Sequence, residues 1–168
     1  MGRDVVYRAA GFISIGKTPE TLGRLLDGLV HLNIMAQALR GRTRQWWATA
    51  KSVGGSCNNF VMTGVAFATL IERAQPGPDA QTAVFHCAEG YFTSLPVEAL
   101  SETEAFLAYA VSGEEMSVHG YPLRLAVPGR YGYKWAKWVV RVELVAGRSL
   151  GYWERRGLPD RARVGDIW

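Results

Sequence analysis

The stretch 119–138, HGYPLRLAVPGRYGYKWAKW, decides how this chain is interpreted. It contains no Asp or Glu, although the whole chain is nearly balanced, with 19 Lys and Arg against 15 Asp and Glu. Glycines at 120, 129 and 132 can bend loops towards a ligand, and Arg and Lys suit a phosphate. We expect the cations to converge from two loops onto one cavity that accommodates an anion. The alternative is a pair of strands whose Lys and Arg side chains form one solvated face. The potential cations are His119, Arg124, Arg130, Lys134 and Lys137.

Strands dominate the second half of the chain. RLAVP (124–128) and KWVVRVELV (137–145) read as strands, with PGRYGYK as a glycine-punctuated loop between them. TAVFHCA (82–88) is a further strand, and 60–74 begins strand-like and becomes helical. The polar end, 155–168, is expected to lie along the surface.

Two further helices are predicted. Thr18 and Pro19 are typical of a helix start, and apolar residues at helical spacing extend the element over 19–40. Ser101 and Glu104 have the spacing of a capping box, which predicts a short helix over 101–112. Residues 41–59 have no clear period and read as an irregular loop. Strands mixed with short helices, without a strand–helix–strand rhythm, indicate an α+β fold with mixed sheets.

Length and composition suit one domain over residues 1–168. The chain is 48% hydrophobic and carries a formal net charge of +4. No apolar run reaches the roughly 18 residues that cross a bilayer, and the N-terminus lacks a secretory pattern, so a cytoplasmic location without membrane contact is expected. Two cysteines, Cys57 and Cys87, are too few for a disulfide scaffold, and no zinc motif occurs. Cys87 next to His86 fits a core cysteine better than a nucleophile.

Five ordered motifs carry a family resemblance. FHCAEGYFTSLP (85–96) resembles the DGYTTxLP segment of the sulfite oxidase-like molybdopterin-binding domains. LAY with GE (107–114), HGYPLR (119–124), YGYKWAKW (131–138) and GYWERRG (151–157) resemble further segments of that family in the same order. The match is strong over 83–157 and weak before residue 60.

The resemblance implies a molybdenum–molybdopterin cofactor and the fold of this family. His119 and Arg124 match residues that contact the cofactor, and Lys134, Trp135, Ala136 and Lys137 match the loop at its phosphate end. Tyr91 and Tyr133 are the candidate catalytic residues. Family members transfer an oxygen atom to or from a small substrate, with the cofactor supplying the difficult chemistry. A separate electron-transfer protein is a possible partner, and nucleic acid is not expected.

The molybdenum ligand departs from the family pattern. Counting back from GVAF (64–67) places the family's cysteine at Lys51, and an ammonium group is no substitute for a thiolate. A shifted loop could bring Cys57 to the metal, since Gly54 and Gly55 permit a bend. Alternatively, the domain binds pterin without a thiolate, or the segment is degenerate.

Two other functions stay open at this point. A non-catalytic pterin-binding module on the same fold is motivated by Lys51. A basic nucleic-acid-binding domain is motivated by the net charge and by the Arg- and Trp-rich stretch at 40–47, since Trp and Arg can stack on single strands.

Overall fold

The fold is known from a computed structural model that describes residues 12–13, 43–74, 76–115, 120–121 and 123–166. The expected helix at 19–40 and the predicted cofactor residue His119 lie outside the described residues. Within the described part, no helix is long and apolar enough to cross a membrane.

Two antiparallel sheets form the body of the domain. The first has the order β1-β9-β4-β5, built from β1 (Phe12–Ile13), β4 (Thr82–Cys87), β5 (Phe92–Pro96) and β9 (Val139–Val145). The second has the order β2-β3-β6-β7, built from β2 (Thr43–Lys51), β3 (Cys57–Ala66), β6 (Phe106–Val111) and β7 (Glu114–Glu115). A further strand, β8 (Arg124–Ala126), pairs with β6. The two sheets with short helices confirm the α+β class.

One hydrophobic core joins the two sheets. It takes buried side chains from both, such as Phe85 and Leu144 of the first sheet and Met62 and Leu107 of the second. The helix α1 (Phe67–Ala74) follows β3 directly and buries Phe67 and Leu70, with Ile71 and Ala74 partly buried, at the spacing of one helical face. The predicted change from strand to helix within 60–74 is therefore confirmed.

The irregular loop predicted for 41–59 is wrong, because this stretch is the hairpin of β2 and β3. The two strands pair from Thr43↔Val65 to Lys51↔Cys57, and only Ser52–Ser56 forms the connection. The adjacent tryptophans lie on opposite faces of β2, as the alternation of a strand requires. Trp46 stacks on Phe106 at a centroid distance of 4.2 Å, whereas Trp47 is 83% exposed. Single-strand stacking on both tryptophans is therefore not available.

The helix predicted over 101–112 is also wrong. The helix α2 spans Val97–Glu102 with no side-chain cap, and Ser101 Oγ donates instead to Val97 O at 3.3 Å. Glu104 then adopts a left-handed φ of 51°, which ends the turn. Residues 106–111 form β6, which pairs with β3, β7 and β8. Pairing of this buried apolar run outweighs the local capping signal.

The strands predicted at 82–88, 124–128 and 137–145 are confirmed as β4, β8 and β9. The loop between β8 and β9 contains a 3-10 helix, Gly132–Lys134. The terminal segment lies along this loop, where Tyr131 N donates to Ala162 O at 2.8 Å and Val164 N donates to Gly129 O at 3.0 Å.

Candidate functional site

Arg124 begins β8 and is buried between aromatic rings. Its guanidinium carbon lies 5.5 Å from the ring centroid of Phe60 and 6.0 Å from that of Trp135. Gly120 packs closely against the side chain of Arg124, since a Cβ at position 120 would lie 3.0 Å from the Cβ of Arg124. The φ of Gly120 is 126°, which is unfavourable for residues other than glycine. Burial lowers the pKa of Arg124. A glycine contact and two rings thus fix the position of this cation.

The loop 130–138 is tied to β8 by its backbone. Leu125 N donates to Ala136 O at 2.8 Å, and Val139 N donates to Leu123 O at 2.9 Å. Trp135 is buried, and its indole Nε1 donates to Arg130 O at 3.1 Å. Ala136 is buried as well. The predicted residues Trp135 and Ala136 therefore form the packed base of the loop rather than its open surface.

Lys137 is half-buried and shares its surroundings with Arg124. Burial lowers the pKa of Lys137, the positive charge of Arg124 lowers it further, and Glu89 acts in the opposite direction. The Lys137 ammonium lies 5.8 Å from the ring centroid of Trp138, whose backbone has a left-handed φ of 53°. Strained backbone of this kind is concentrated at functional positions. We refer to Arg124 and Lys137 as the like-charge pair.

Lys134 has a different environment, although it precedes Lys137 by only three residues. Its side chain is fully buried and forms an ion pair with Glu154, which is itself buried. The ammonium also donates to Ser94 O at 2.7 Å and lies 3.3 Å from Asp160 Oδ1. Asp160 also forms an ion pair with Arg148, whose Nε lies 3.0 Å from Asp160 Oδ2. Lys134, Glu154 and Asp160 form what we call the Lys134 cluster, which fastens the loop to the segment after β9.

Arg130 also faces the C-terminal segment. It is buried, and its guanidinium donates to Arg161 O at 2.6 Å. Burial lowers the pKa of Arg130, and the charge of Arg163 adds to this effect. The expected convergence of all the cations is thus corrected, because Arg124 and Lys137 share one site while Lys134 and Arg130 bind the C-terminal segment. The alternative of a solvated basic face is wrong for Arg124, Arg130 and Lys134, which are all buried.

The two candidate catalytic tyrosines lie against this loop. Tyr91 Oη donates to Tyr133 O, and Tyr133 Oη donates to Pro159 O at 2.6 Å. Burial, followed by the charge of Glu154, raises the pKa of both hydroxyls. Both side chains therefore stay protonated at neutral pH, and each hydroxyl already donates its one proton to a backbone carbonyl.

The two thiols have opposite environments. Cys87 is buried at the end of β4, and desolvation, with a smaller contribution from Glu89, raises its pKa to about 12. Cys57 is exposed at the start of β3. It is paired directly with Lys51, so the two side chains project from the same face of the hairpin. In the described part of the chain, no group of three or more His, Cys, Asp or Glu side chains could hold a metal ion.

Lys51 reaches the loop through its backbone. It forms a parallel bridge with Tyr131, and a Cβ on Gly132 would lie 3.5 Å from Lys51 O. The hairpin tip that carries Lys51 and Cys57 is therefore in contact with the loop that carries Lys137.

Sequence reasoning missed the partners of the cations. Phe60 was assigned only to a strand, and its register against Ala48 is what places it on the core side of the hairpin. Glu154 stands in the quoted GYWE motif, but nothing in the motif indicates a bond to Lys134. A separate cleft of about 640 Å³ lies at the far end of β4 and β5, lined in part by Thr82, Glu98 and Asp160. None of the described candidate site residues lines it.

Fold and site together define a class: an α+β domain in which a tryptophan-supported loop places Lys137 near Arg124 of β8, two cations that suit an anionic ligand. The sequence profile of the oxidoreductase molybdopterin binding domain matches residues 33–153. The chain belongs to this family.

Named relatives agree with the assignment. The chain is 35% identical over 116 residues to the uncharacterized oxidoreductase YuiH of Bacillus subtilis, covering 68% of this chain and 57% of that protein. It is 36% identical over 69 residues to mitochondrial sulfite oxidase of Mus musculus, covering 39% of this chain and 13% of that enzyme. The sulfane dehydrogenase SoxCD of Paracoccus pantotrophus superposes with a TM-score of 0.59 at 25% identity, covering 65% of this chain and 33% of that one. The chain thus spans little more than half the length of YuiH and less of the others.

Proposed function

We propose that this domain binds a molybdenum–molybdopterin cofactor and serves an oxidoreductase that transfers an oxygen atom to or from a small substrate. The like-charge pair is the observation that carries the proposal. Burial and, to a smaller extent, the positive charge of Arg124 lower the pKa of Lys137, and an anion bound beside the two cations would offset both costs. The terminal phosphate of a pterin cofactor is an anion of the required kind.

The pterin half of the cofactor fits the residues that are present. Arg124 would bind an anionic oxygen through its fork of donors, with Phe60 and Trp135 holding the guanidinium plane. Lys137 would add a point charge from the rigid loop. His119 is a further proposed contact. Lys134 would act indirectly, because its ammonium is taken up by Glu154, Asp160 and Ser94, and it would hold the loop in position.

Cys57 is the proposed molybdenum ligand. The support is its position: it lies opposite Lys51, where the family places the thiolate, and the hairpin tip contacts the cofactor loop through Tyr131. Cys87 is a poor alternative, since its raised pKa keeps the thiol protonated. When bound, the molybdenum centre would supply the two-electron oxygen-atom chemistry. Tyr91 and Tyr133 would remain neutral beside the loop, and either would orient an oxygen of the substrate by exchanging its hydrogen bond to Tyr133 O or Pro159 O.

Cofactor analysis tests the proposal. The protein would be expressed in a host that makes the cofactor, and molybdenum and released pterin would be quantified for the wild type, Lys137→Gln and Cys57→Ser. We expect both components in the wild type, loss of pterin in Lys137→Gln, and loss of molybdenum with retention of pterin in Cys57→Ser. A wild-type protein without pterin would refute the proposal.

A second candidate is a non-catalytic pterin-binding domain. The observation that favours it is Lys51 at the family's thiolate position, together with the exposure of Cys57 at the hairpin tip. Pterin binding without molybdenum in the wild type, and gain of molybdenum in Lys51→Cys, would select this alternative.

A further inference from the structure

The segment after β9 carries an exposed aromatic and basic surface that the cofactor does not use. Trp153 is 43% exposed, and Arg155 and Arg156 beside it are exposed as well. The three residues, which we call the Trp153 patch, lie on or next to the short 3-10 helix Glu154–Arg156.

Aromatic rings order the patch. The guanidinium carbon of Arg156 lies 3.5 Å from the ring centroid of Tyr152, and that of Arg155 lies 4.8 Å from the ring centroid of Phe92. Local backbone contacts add to this: Arg155 Nε donates to Leu150 O and Arg156 Nη1 donates to Tyr152 O, each at 2.9 Å. The cations are therefore preorganised, which lowers the entropy lost when a partner binds.

Two acidic residues near the patch are paired with cations of the domain. Glu154 faces inward and pairs with Lys134. Glu143, near the same face through His86 and Phe92, pairs with Arg141 at 3.0 Å and with His86 at 2.8 Å. The patch thus keeps a positive surface, although the chain carries a net charge of only +4.

A short path leads from the patch to the cofactor loop. The rings of Trp153 and Tyr152 are 5.3 Å apart, and those of Tyr152 and Tyr91 are 5.8 Å apart. Tyr91 then donates a hydrogen bond to the backbone of Tyr133 within the loop. Two ring contacts and one hydrogen bond therefore connect the exposed indole to the loop that would hold the cofactor.

We infer that the Trp153 patch is the docking site of an acidic redox protein that exchanges electrons with this domain. The inference rests on the proposed function, since the electrons come from the proposed two-electron reaction and pass to or from the partner's haem or flavin. No bond is made or broken at the patch. Trp and Arg are the residues that dominate protein interfaces, and the charges favour association with a negative surface.

A protein partner fits better than a membrane or a nucleic acid. Anchoring in a membrane needs a broad apolar face, whereas the patch exposes one large apolar ring. Nucleic-acid binding needs cations tracking a phosphate backbone, and the patch has two. Both alternatives become outcomes of the test.

The test measures binding of two small one-haem cytochromes, an acidic b-type and a basic c-type, to the full chain at low and at physiological ionic strength. We expect the acidic cytochrome to bind and the basic one not to bind. Arg155→Gln/Arg156→Gln should weaken the affinity about tenfold or more, and Trp153→Ser by a similar factor, as for central interface residues. Arg44→Gln/Arg161→Gln removes the same charge at exposed positions outside the patch and should change the affinity less than about twofold.

A charge-retaining variant separates charge from loop shape. Arg155→Lys/Arg156→Lys alters the hydrogen bonds of the loop and should keep most of the affinity. Equal loss in the Lys and Gln variants, no preference between the cytochromes, or patch-dependent binding of phosphatidylglycerol vesicles or an oligonucleotide would overturn the inference. Pterin and molybdenum are quantified in the same preparations, so that failure of the proposed function is read from wild-type cofactor content and failure of docking from binding.

Discussion

Two lysines of one loop, Lys134 and Lys137, have different environments and therefore different roles. Lys134 is fully buried with Glu154 and Asp160, so its counter-charges are part of the chain. Lys137 is half-buried near Arg124, and its pKa is lowered first by burial and then by the charge of Arg124, with Glu89 acting in the opposite direction. The difference teaches that a cation enclosed by carboxylates of the same chain holds a structure together, whereas a half-exposed cation near a second cation can still bind an anion from outside.

Removing the ammonium of Lys134 is expected to give the largest effect. Lys134→Met leaves Glu154 buried without its partner, and breaking a buried pair in this way costs roughly 3–5 kcal/mol of unfolding free energy. Urea unfolding followed by circular dichroism measures the change. The double variant Lys134→Met/Glu154→Gln should recover most of the loss; a single variant as stable as the wild type would show that the cluster contributes nothing.

Lys137→Gln should behave in the opposite way. Because the ammonium repels Arg124, its removal should leave the unfolding free energy within about 0.5 kcal/mol of the wild type or raise it slightly. Affinity for a probe anion, inorganic pyrophosphate, should fall about tenfold, as expected for loss of one charge-assisted bond. Calorimetric titration gives the affinity, with Arg44→Gln as the control. Unchanged affinity together with lost stability would make Lys137 a structural residue like Lys134.

The pH dependence of anion binding should expose the same contrast. The pKa of Lys137 is lowered in the folded protein, so its ammonium loses its proton at a lower pH than an ordinary lysine. Above pH 8 the charge of inorganic phosphate is nearly constant. Its affinity for the apoprotein should therefore begin to fall at a lower pH than it would if Lys137 had the pKa of an ordinary lysine. Lys137→Arg should move the decline upward. The sign for stability is the reverse: folding releases a proton from this group, so its contribution to stability increases as the pH rises through the folded pKa.

Labelling of the two thiols tests the smallest of the expected differences, because it changes neither the stability nor the anion affinity of the protein. Iodoacetamide at neutral pH should modify exposed Cys57 quickly and leave buried Cys87 intact, because the pKa of Cys87 is raised to about 12. Mass spectrometry of the peptides identifies the modified residue. In protein loaded with cofactor, Cys57 should become protected if it is the metal ligand, and Cys57 labelling at an unchanged rate would argue against that role.

The sequence predicted the fold class, and ordered motifs predicted the family. It missed β2 because Trp46 and Trp47 point to opposite faces, which local composition does not reveal. It misread 101–112 because a capping pattern is local, whereas β6 is determined by its pairing with β3 and β8. Within the site, the motifs indicated which residues are cationic. The different environments of Lys134 and Lys137 depend on Glu154 and Arg124. These residues are distant from the lysines in the sequence and come near them only in the folded chain. The cytoplasmic location and the single-domain boundary stay predictions.

The central claim is that the like-charge pair binds the anionic end of a pterin cofactor. The most direct measurement is the pterin content of wild-type protein and of Lys137→Gln, purified from one cofactor-producing host and compared at equal folded concentration. We expect stoichiometric pterin in the wild type and a large loss in the variant with unchanged thermal stability. Equal pterin in both proteins, or none in the wild type, would contradict it.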